Sequence, residues 1–349
     1  MSEYKVHRPV GVIGAGSFGT AIANLLAHNA EVLMYSRNTT LVDKINNTHH
    51  HFDIDLSQRI HATTDIKEVA ERCTLMFPIV PSDSFRAMMQ DLGPHLRPDH
   101  ILIHGTKGFD LYGITEEEID DKGINRDQVS TMSEIIRQES VVVRVGCLSG
   151  PNLASEIMDG QPTATVIGSK FDEVINMGQS VLDSQHFHVF GTYEILGAEL
   201  AGALKNIFAI GSGLLKGKGF GKNLQAMLIS RGLMEMVHFG KRFGANSSAF
   251  LGTAGIGDLV ATATSKNSRN FTFGYRLGQG ESLEEVASTM PELAEGVRTL
   301  KITRFLAKYY KLRIPIMEML YNVVFEGFEI ERAIEFLMTY PYDIDVDFL

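Results

Sequence analysis

The sequence predicts an α/β domain built on a mostly parallel sheet, followed by an all-α domain. Three observations carry that prediction. Apolar runs of strand length alternate with helix-length periodic segments up to residue 191, a glycine-rich turn directly follows the first run, and strand-like runs give way to long helical patterns from about residue 192. The expected domains are therefore residues 1–191 and 192–349.

The strand candidates, in order, are "VGVIGAG" (10–16), "EVLMYSR" (31–37), "TLMFPIVP" (74–81), "HILIHGT" (100–106), "VVVRVGCL" (141–148), "TATVIGS" (163–169) and "FHVFG" (187–191). Their alternation with helix-length segments predicts a mostly parallel sheet covered on both faces. Pro78 lies inside one of them and removes a ladder donor, which predicts an irregular or early-ending strand. The polar stretch "NNTHHHFDIDLSQRIHATTD" has no clear period and reads as a surface insertion. Helical periodicity dominates the second domain, as in "NLQAMLISRGLMEMVHFGKRFG" and "TLKITRFLAKYY".

With 349 residues and a net charge of −10, the chain is long enough for two cores and carries no Lys/Arg block of the kind that phosphate-backbone binding needs. Nucleic acid is excluded as a partner on that ground. The N-terminus is polar before a first apolar run too short for a signal sequence or a membrane span, so no membrane insertion is expected. Cys73 and Cys147 sit in apolar, strand-like surroundings without paired spacing, which points to a reduced cytoplasmic protein with inert thiols. His49, His50, His51, Asp53 and Asp55 cluster in the insertion, but successive residues point in different directions and no His pair occurs at i, i+4. A solvated loop, with no metal, is expected.

Gly14, Gly16 and Gly19 form G-x-G-x-x-G between the first strand and a helix, the context of a Rossmann-type dinucleotide site. Gly14 permits the tight turn, Gly16 lets a pyrophosphate approach the backbone, and Gly19 lets helix and strand pack closely. At the end of the next strand stand Ser36 and Arg37, where an acidic residue would hold a ribose 2′-hydroxyl. A guanidinium suits a 2′-phosphate, so NADP(H) is favoured while NAD(H) stays open. The plainer accounts are a purely structural glycine turn and a solvated arginine.

"AGALKNIFAIGSGL" (201–214) reads as a buried apolar helix interrupted by Lys205 and Asn206. Ala201, Gly202 and Ala209 share the lysine's face, leaving room for a ligand beside the amine. Burial disfavours the ammonium and makes a lysine usable as a general base; the alternative is a lysine whose stem lies along the surface. Farther on, "GTAGIGDLVATATSKNSRNFTFG" carries Asp258, Ser268, Arg269 and Asn270. Hydroxyl, guanidinium and amide donors can wrap a phosphate, or Ser268 can simply cap a helix beside a surface arginine. Asp258 could hold an amine or a polyol hydroxyl, or cap a helix. Lys107 lies just beyond a strand, at the sheet edge where ligands bind, with Gly150, Asn152 and Ala154 placed similarly after the next strand.

Together, "GAGSFGTAIA", "VPS" (80–82), "TKG" (106–108), "LSGPNLA", "ELAGALKNIFAIGSGL", "ISRGLMEM", "AGIGDLVATATSKNSRN" and "EGVRT" occur in an order that resembles the bacterial NAD(P)-dependent glycerol-3-phosphate dehydrogenase family, from about residue 10 to 330. The resemblance implies reversible NAD(P)H-dependent reduction of dihydroxyacetone phosphate to sn-glycerol 3-phosphate, feeding phospholipid synthesis, with a homodimer as the expected assembly. By resemblance, Ser17, Phe18, Arg37, Ala154, Leu293 and Glu295 contact the dinucleotide, and Lys107 touches both cofactor and substrate. Gly150, Asn152, Asp258, Ser268 and Asn270 line the substrate site, Arg269 is shared, and Lys205 is the proton acceptor. The chain departs from the family pattern at Asn152 and Leu153, where Ser or Thr and Phe are usual, at Ala263, often Cys, and at Pro78. An amide at 152 can still donate to phosphate. The competing functions are a two-domain dehydrogenase acting on a hydroxy acid and a redox sensor that binds NADP(H) without turnover.

Overall fold

The computed structural model describes residues 7–290 and 294–340. They form two compact units. The first contains the chain up to Asp110 together with Thr131–Ile195, and the second contains Leu111–Ser130 and the chain from Leu196 onward.

The first unit holds an eight-stranded sheet: β1 (Val10–Ile13), β2 (Val32–Tyr35), β3 (Ile60–Thr63), β4 (Leu75–Pro78), β5 (Ile101–His104), β6 (Arg144–Ser149), β7 (Thr163–Ser169) and β8 (Phe187–Thr192). Their spatial order is β8-β7-β6-β5-β4-β1-β2-β3. Every ladder is parallel except β6 with β7, where Cys147 pairs with Gly168. The sheet is thus mostly parallel, as expected. Strand order reverses on either side of β1, which pairs with both β2 and β4, so the C-terminal end of β1 is the topological switch point where doubly wound sheets take ligands. β4 ends at Pro78, as a missing N–H requires.

Helices α1 (Ser17–Leu26), α2 (Thr39–Thr48), α3 (Ile66–Arg72), α4 (Phe85–Leu92), α5 (Met132–Glu139) and α6 (Asp172–Leu182) accompany the sheet. Side chains alternate across its two faces. Val10, Val12 and Ile103 join Ile22 and Leu26 of α1 and Val174 of α6 in one core. On the opposite face, a Cβ on Gly11 would lie 2.9 Å from Val69 of α3. Cys73 and Cys147 are both buried, and burial pushes the Cys73 thiol up to about 12.

In the second unit run α7 (Ile195–Gly217), α8 (Lys222–Phe243), a π-helical turn (Thr253–Gly257), α9 (Asp258–Thr264), α10 (Arg269–Gly278), α11 (Leu283–Thr289), α12 (Glu295–Tyr310), α13 (Pro315–Phe325) and α14 (Ile330–Thr339). Among the described residues, only α7 is long and apolar enough to cross a membrane, and 94% of its apolar window is buried inside the protein. α7 and α10 meet backbone to backbone through Gly213 and Gly217 on one and Gly274 and Gly278 on the other. A Cβ on Gly213 would sit 2.0 Å from the Phe271 carbonyl oxygen, and one on Gly274 would sit 2.0 Å from that of Ile210. Glu235, buried on α8, accepts from the Ile316 and Met317 N–H groups at 2.6 and 3.0 Å and so caps the start of α13 from another helix.

Residues 111–130 lie between two strand runs and were placed by sequence in the first domain, yet they pack in the second unit. Arg298 donates to Glu116, Lys301 to Asp120 at 2.7 Å, and the Arg126 guanidinium lies 4.7 Å from the centre of the Phe243 ring. Long-range charge matching of this kind has no local signature in the sequence.

Candidate active site

The predicted site residues fall into two sets, one on each unit. In the first unit, each glycine of the turn after β1 has its own physical reason. Gly14 has φ +118°, and a Cβ there would lie 2.0 Å from the Ile79 carbonyl oxygen. Gly19 leaves no space either, since its Cβ would lie 2.0 Å from the carbonyl oxygen of Gly14. Gly16 differs, with open space around its Cβ direction. It caps α1 without any side chain, and the first turn of the helix has no acidic residue. Unpaired N–H groups and the positive end of the helix dipole therefore face an open, backbone-lined cradle, which fits a dinucleotide pyrophosphate. Ser17 is exposed there, and Phe18 turns partly into the core. Arg37 is exposed just past β2, with no hydrogen bond or ion pair holding it to the described residues.

Lys107 Nζ donates to the Gly150 carbonyl oxygen at 2.9 Å, so two predicted residues meet directly. The loop carrying Lys107 is pinned on both sides. Thr106 Oγ1 donates to the Val80 carbonyl oxygen at 2.7 Å, and Asp110 is held by Arg86 at 2.7 Å in a largely buried pair. Gly150 has φ +138°, which favours glycine at that position. Asn152 Nδ2 donates to Thr165 Oγ1 at 2.9 Å, and Thr165 spends its own proton on the Ser149 carbonyl oxygen. The amide orientation is thereby fixed, leaving Asn152 Oδ1 buried without a partner. The unpartnered atom is an acceptor that suits a hydroxyl, and only one of the two amide N–H groups is engaged with Thr165. Ala154 opens the short helix Ala154–Met158.

In the second unit, Lys205 is only 5% exposed, which rules out a surface-lying stem. Its Nζ donates to Asp258 Oδ1 at 2.6 Å and to Thr262 Oγ1 at 2.5 Å. Of the roles open to Asp258, the structure selects holding an amine. Thr262 was missed by sequence reasoning, although it lies four residues after Asp258 on α9 and so shares its face. The carboxylate compensates the buried charge, keeping the lysine as an ammonium, the form that can donate a proton.

Ser268 caps α10, its Oγ accepting from the Phe271 N–H at 3.2 Å. Arg269 and Asn270 occupy the first turn of that helix, so the capping and anion-binding readings coincide there. Asn270 Oδ1 accepts from the Gly296 N–H at 2.9 Å, which ties α10 to the start of α12, where Glu295 is the first residue. A Cβ on Gly296 would lie 2.8 Å from the Asn206 carbonyl oxygen, so α7 also reaches this point. Ala263 is fully buried, and its carbonyl oxygen accepts from Ser212. Leu293 lies outside the described residues.

Residues 9–175 match the family described as NAD-dependent glycerol-3-phosphate dehydrogenase N-terminus, and residues 194–335 match its C-terminus counterpart. The chain belongs to the NAD-dependent glycerol-3-phosphate dehydrogenase family. It is 38% identical over 343 residues to the glycerol-3-phosphate dehydrogenase [NAD(P)+] of Saccharophagus degradans, covering 97% of this chain and 92% of that one. The protein of the same name from Pseudomonas fluorescens is 38% identical over 347 residues, covering 98% and 97%. The crystal structure of glycerol-3-phosphate dehydrogenase from Coxiella burnetii superposes with a TM-score of 0.84 at 29% identity, covering 95% of this chain and 99% of that one. The chain is accordingly an NAD(P)-dependent oxidoreductase of a family that reduces dihydroxyacetone phosphate to glycerol 3-phosphate.

Proposed function

We propose that Lys205 is the general acid and base of a reversible dihydroxyacetone phosphate reduction that supplies glycerol 3-phosphate for phospholipid synthesis. The observation that carries this is the buried Lys205–Asp258–Thr262 cluster, an ammonium held at 2.6 Å from a carboxylate inside a helical core. Bound NAD(P)H supplies the hydride that reduces the carbonyl carbon. As charge develops on the carbonyl oxygen, Lys205 donates its proton, and in the reverse direction the neutral amine takes the C2 hydroxyl proton. Positioned proton transfer contributes about 10² to 10⁴ in rate. Ser268, Arg269 and Asn270 at the head of α10 anchor the substrate phosphate, so that binding energy remote from the carbonyl orients it. Lys107 stabilises the oxyanion and contacts both ligands, while Gly150 and Asn152 hold the hydroxyl end of the substrate.

Gly14, Gly16, Ser17, Phe18 and Gly19 cradle the dinucleotide, with Arg37, Ala154, Arg269, Leu293 and Glu295 as its further contacts. The exposed Arg37 guanidinium favours NADP(H). The working form is a cytoplasmic homodimer.

The test follows absorbance at 340 nm with dihydroxyacetone phosphate or dihydroxyacetone, NADPH or NADH, and wild type or Lys205→Met. Expected are a strict need for the phosphate, a higher kcat/KM with NADPH, and a kcat reduced about 10² to 10⁴-fold in the variant. An unchanged kcat removes Lys205 from the chemistry. Equal rates with dihydroxyacetone overturn the phosphate anchor, and equal kcat/KM for the two cofactors overturns the role of Arg37.

A further inference from the structure

We infer that residues 49–59 form a strap that fixes α1 and the turn before it in their phosphate-binding geometry, with His51 as its positioning residue. The strap begins with a two-stranded hairpin, His50–His51 against Ile54–Asp55, closed by a His50–Asp55 contact of 3.1 Å. Three non-glycine residues here have left-handed backbones: His49 (φ 45°), Phe52 (φ 49°) and Asp53 (φ 58°). Such conformations are unfavourable for residues other than glycine and persist only where surrounding contacts hold them.

Those contacts run along the whole of α1. Leu56 is buried, and its N–H donates to the His49 carbonyl oxygen at 2.7 Å. The Ser57 N–H donates to Asn24 Oδ1 at 3.1 Å, in the body of the helix. Arg59 Nη1 donates to the carbonyl oxygens of Ala27 and His28 at 3.2 and 3.3 Å, capping its far end. At the near end, His51 Nε2 lies 3.0 Å from the carbonyl oxygen of Ala15, between Gly14 and Gly16. A carbonyl only accepts, so His51 carries its proton on Nε2 and donates it.

The consequence follows from peptide geometry. In a planar trans peptide the C=O and the following N–H point in opposite directions. Holding the Ala15 carbonyl toward His51 therefore turns the Gly16 N–H away from it. His51 thus sets the direction of a phosphate donor without touching the phosphate itself.

The inference rests on the family's use of NAD(P)H, which wild-type binding checks separately. The experiment titrates the full-length protein with NADPH by the cofactor's own fluorescence, for wild type, His51→Phe and His51→Gln, and measures kcat, KM for dihydroxyacetone phosphate and thermal midpoints. The His51 and Phe52 rings lie 4.1 Å apart between centres, so Phe keeps that contact but loses the donor; Gln restores a donor at similar reach. Expected is an NADPH Kd raised about 10-fold in His51→Phe, equivalent to about 1.4 kcal/mol. In His51→Gln it should return to within about 3-fold of wild type, with kcat, the substrate KM and the midpoint unchanged in both. A wild-type Kd in His51→Phe, a Gln variant as weak as Phe, or a substrate KM rising in step overturns it.

Discussion

Replacing Asp258 by Asn removes a charge while barely changing shape, and it isolates what the buried cluster does. Lys205 and Asp258 have side chains 7% and 2% exposed and approach to 2.6 Å. At an effective dielectric constant of about 20, two unit charges at that separation attract by about 6 kcal/mol, most of which offsets the cost of taking both ions out of water. Without the carboxylate, the ammonium keeps its desolvation cost and loses the opposite charge at 2.6 Å that offsets it. Asp258→Asn should therefore lose about 3–5 kcal/mol of stability, read from urea midpoints. Its kcat should fall at least about 10-fold as the lysine loses the partner that keeps it protonated. Lys205→Met combined with Asp258→Leu should recover most of the lost stability, because no charge remains buried, while activity stays absent. The decisive quantity is the coupling from the double-mutant cycle of Lys205→Met and Asp258→Leu. If the two single losses simply add, to within about 0.5 kcal/mol, the two groups do not act as a buried ion pair and the account fails.

Two further outcomes follow from packing and titration. Gly274→Ala should force α7 and α10 apart by about 1 Å, since the new methyl would lie 2.0 Å from the Ile210 carbonyl oxygen. The expected cost is about 3 kcal/mol in a thermal or urea melt, with a raised KM for dihydroxyacetone phosphate because α10 carries Ser268–Asn270; an unaltered melt would show that the helices yield freely. Glu235 is pushed up to about 8 by burial, against the pull of two backbone donors. Because the folded state holds this proton more tightly than the unfolded chain, the stability it contributes is complete below about pH 4.5 and is lost as pH rises through about 8. Glu235→Gln sets an amide N–H group against one of those backbone donors, so it should be less stable than wild type at pH 5. The gap should narrow by up to about 1.4 kcal/mol per pH unit toward pH 8, and a constant gap would contradict the assignment.

Where the physics is local, the fold was legible in the sequence. The strands other than β3 fall on the apolar runs of the sequence, and the glycine spacing marks the turn after β1 because Gly14 and Gly19 leave no room for a Cβ and Gly16 leaves the backbone open. β3, "IHAT", was absorbed into the polar insertion, since a short strand at the sheet edge needs no long apolar run. The His49–His51 cluster looked like a solvated loop, because a histidine that supports a backbone carbonyl 36 positions earlier leaves no periodic trace. Lys205 stood out as a charge in an apolar helix, whereas its partner Thr262 was one more small polar residue in a small-residue segment. The Gly-x-x-x-Gly spacings at 213 and 217 and at 274 and 278 were present in the sequence. They gain meaning only once the two helices are known to cross there.

The placement of residues 111–130 in the second unit has a consequence for how the chain is made. Asp120 meets Lys301 across 181 positions, and Glu116 meets Arg298 across 182. During synthesis, this first piece of the second unit emerges before β6, β7 and β8 of the first unit exist, and Glu116 and Asp120 wait for Arg298 and Lys301 until α12 has been made. Closing so long a span is entropically costly, although the cost grows only with the logarithm of its length. The first unit, by contrast, has all its strands once residue 192 has emerged. The chain therefore passes between units at 110/111, 130/131 and 195/196, and a single cut near residue 192 yields no intact second half. Its C-terminal fragment would lack the acidic segment that Arg298 and Lys301 are built to meet.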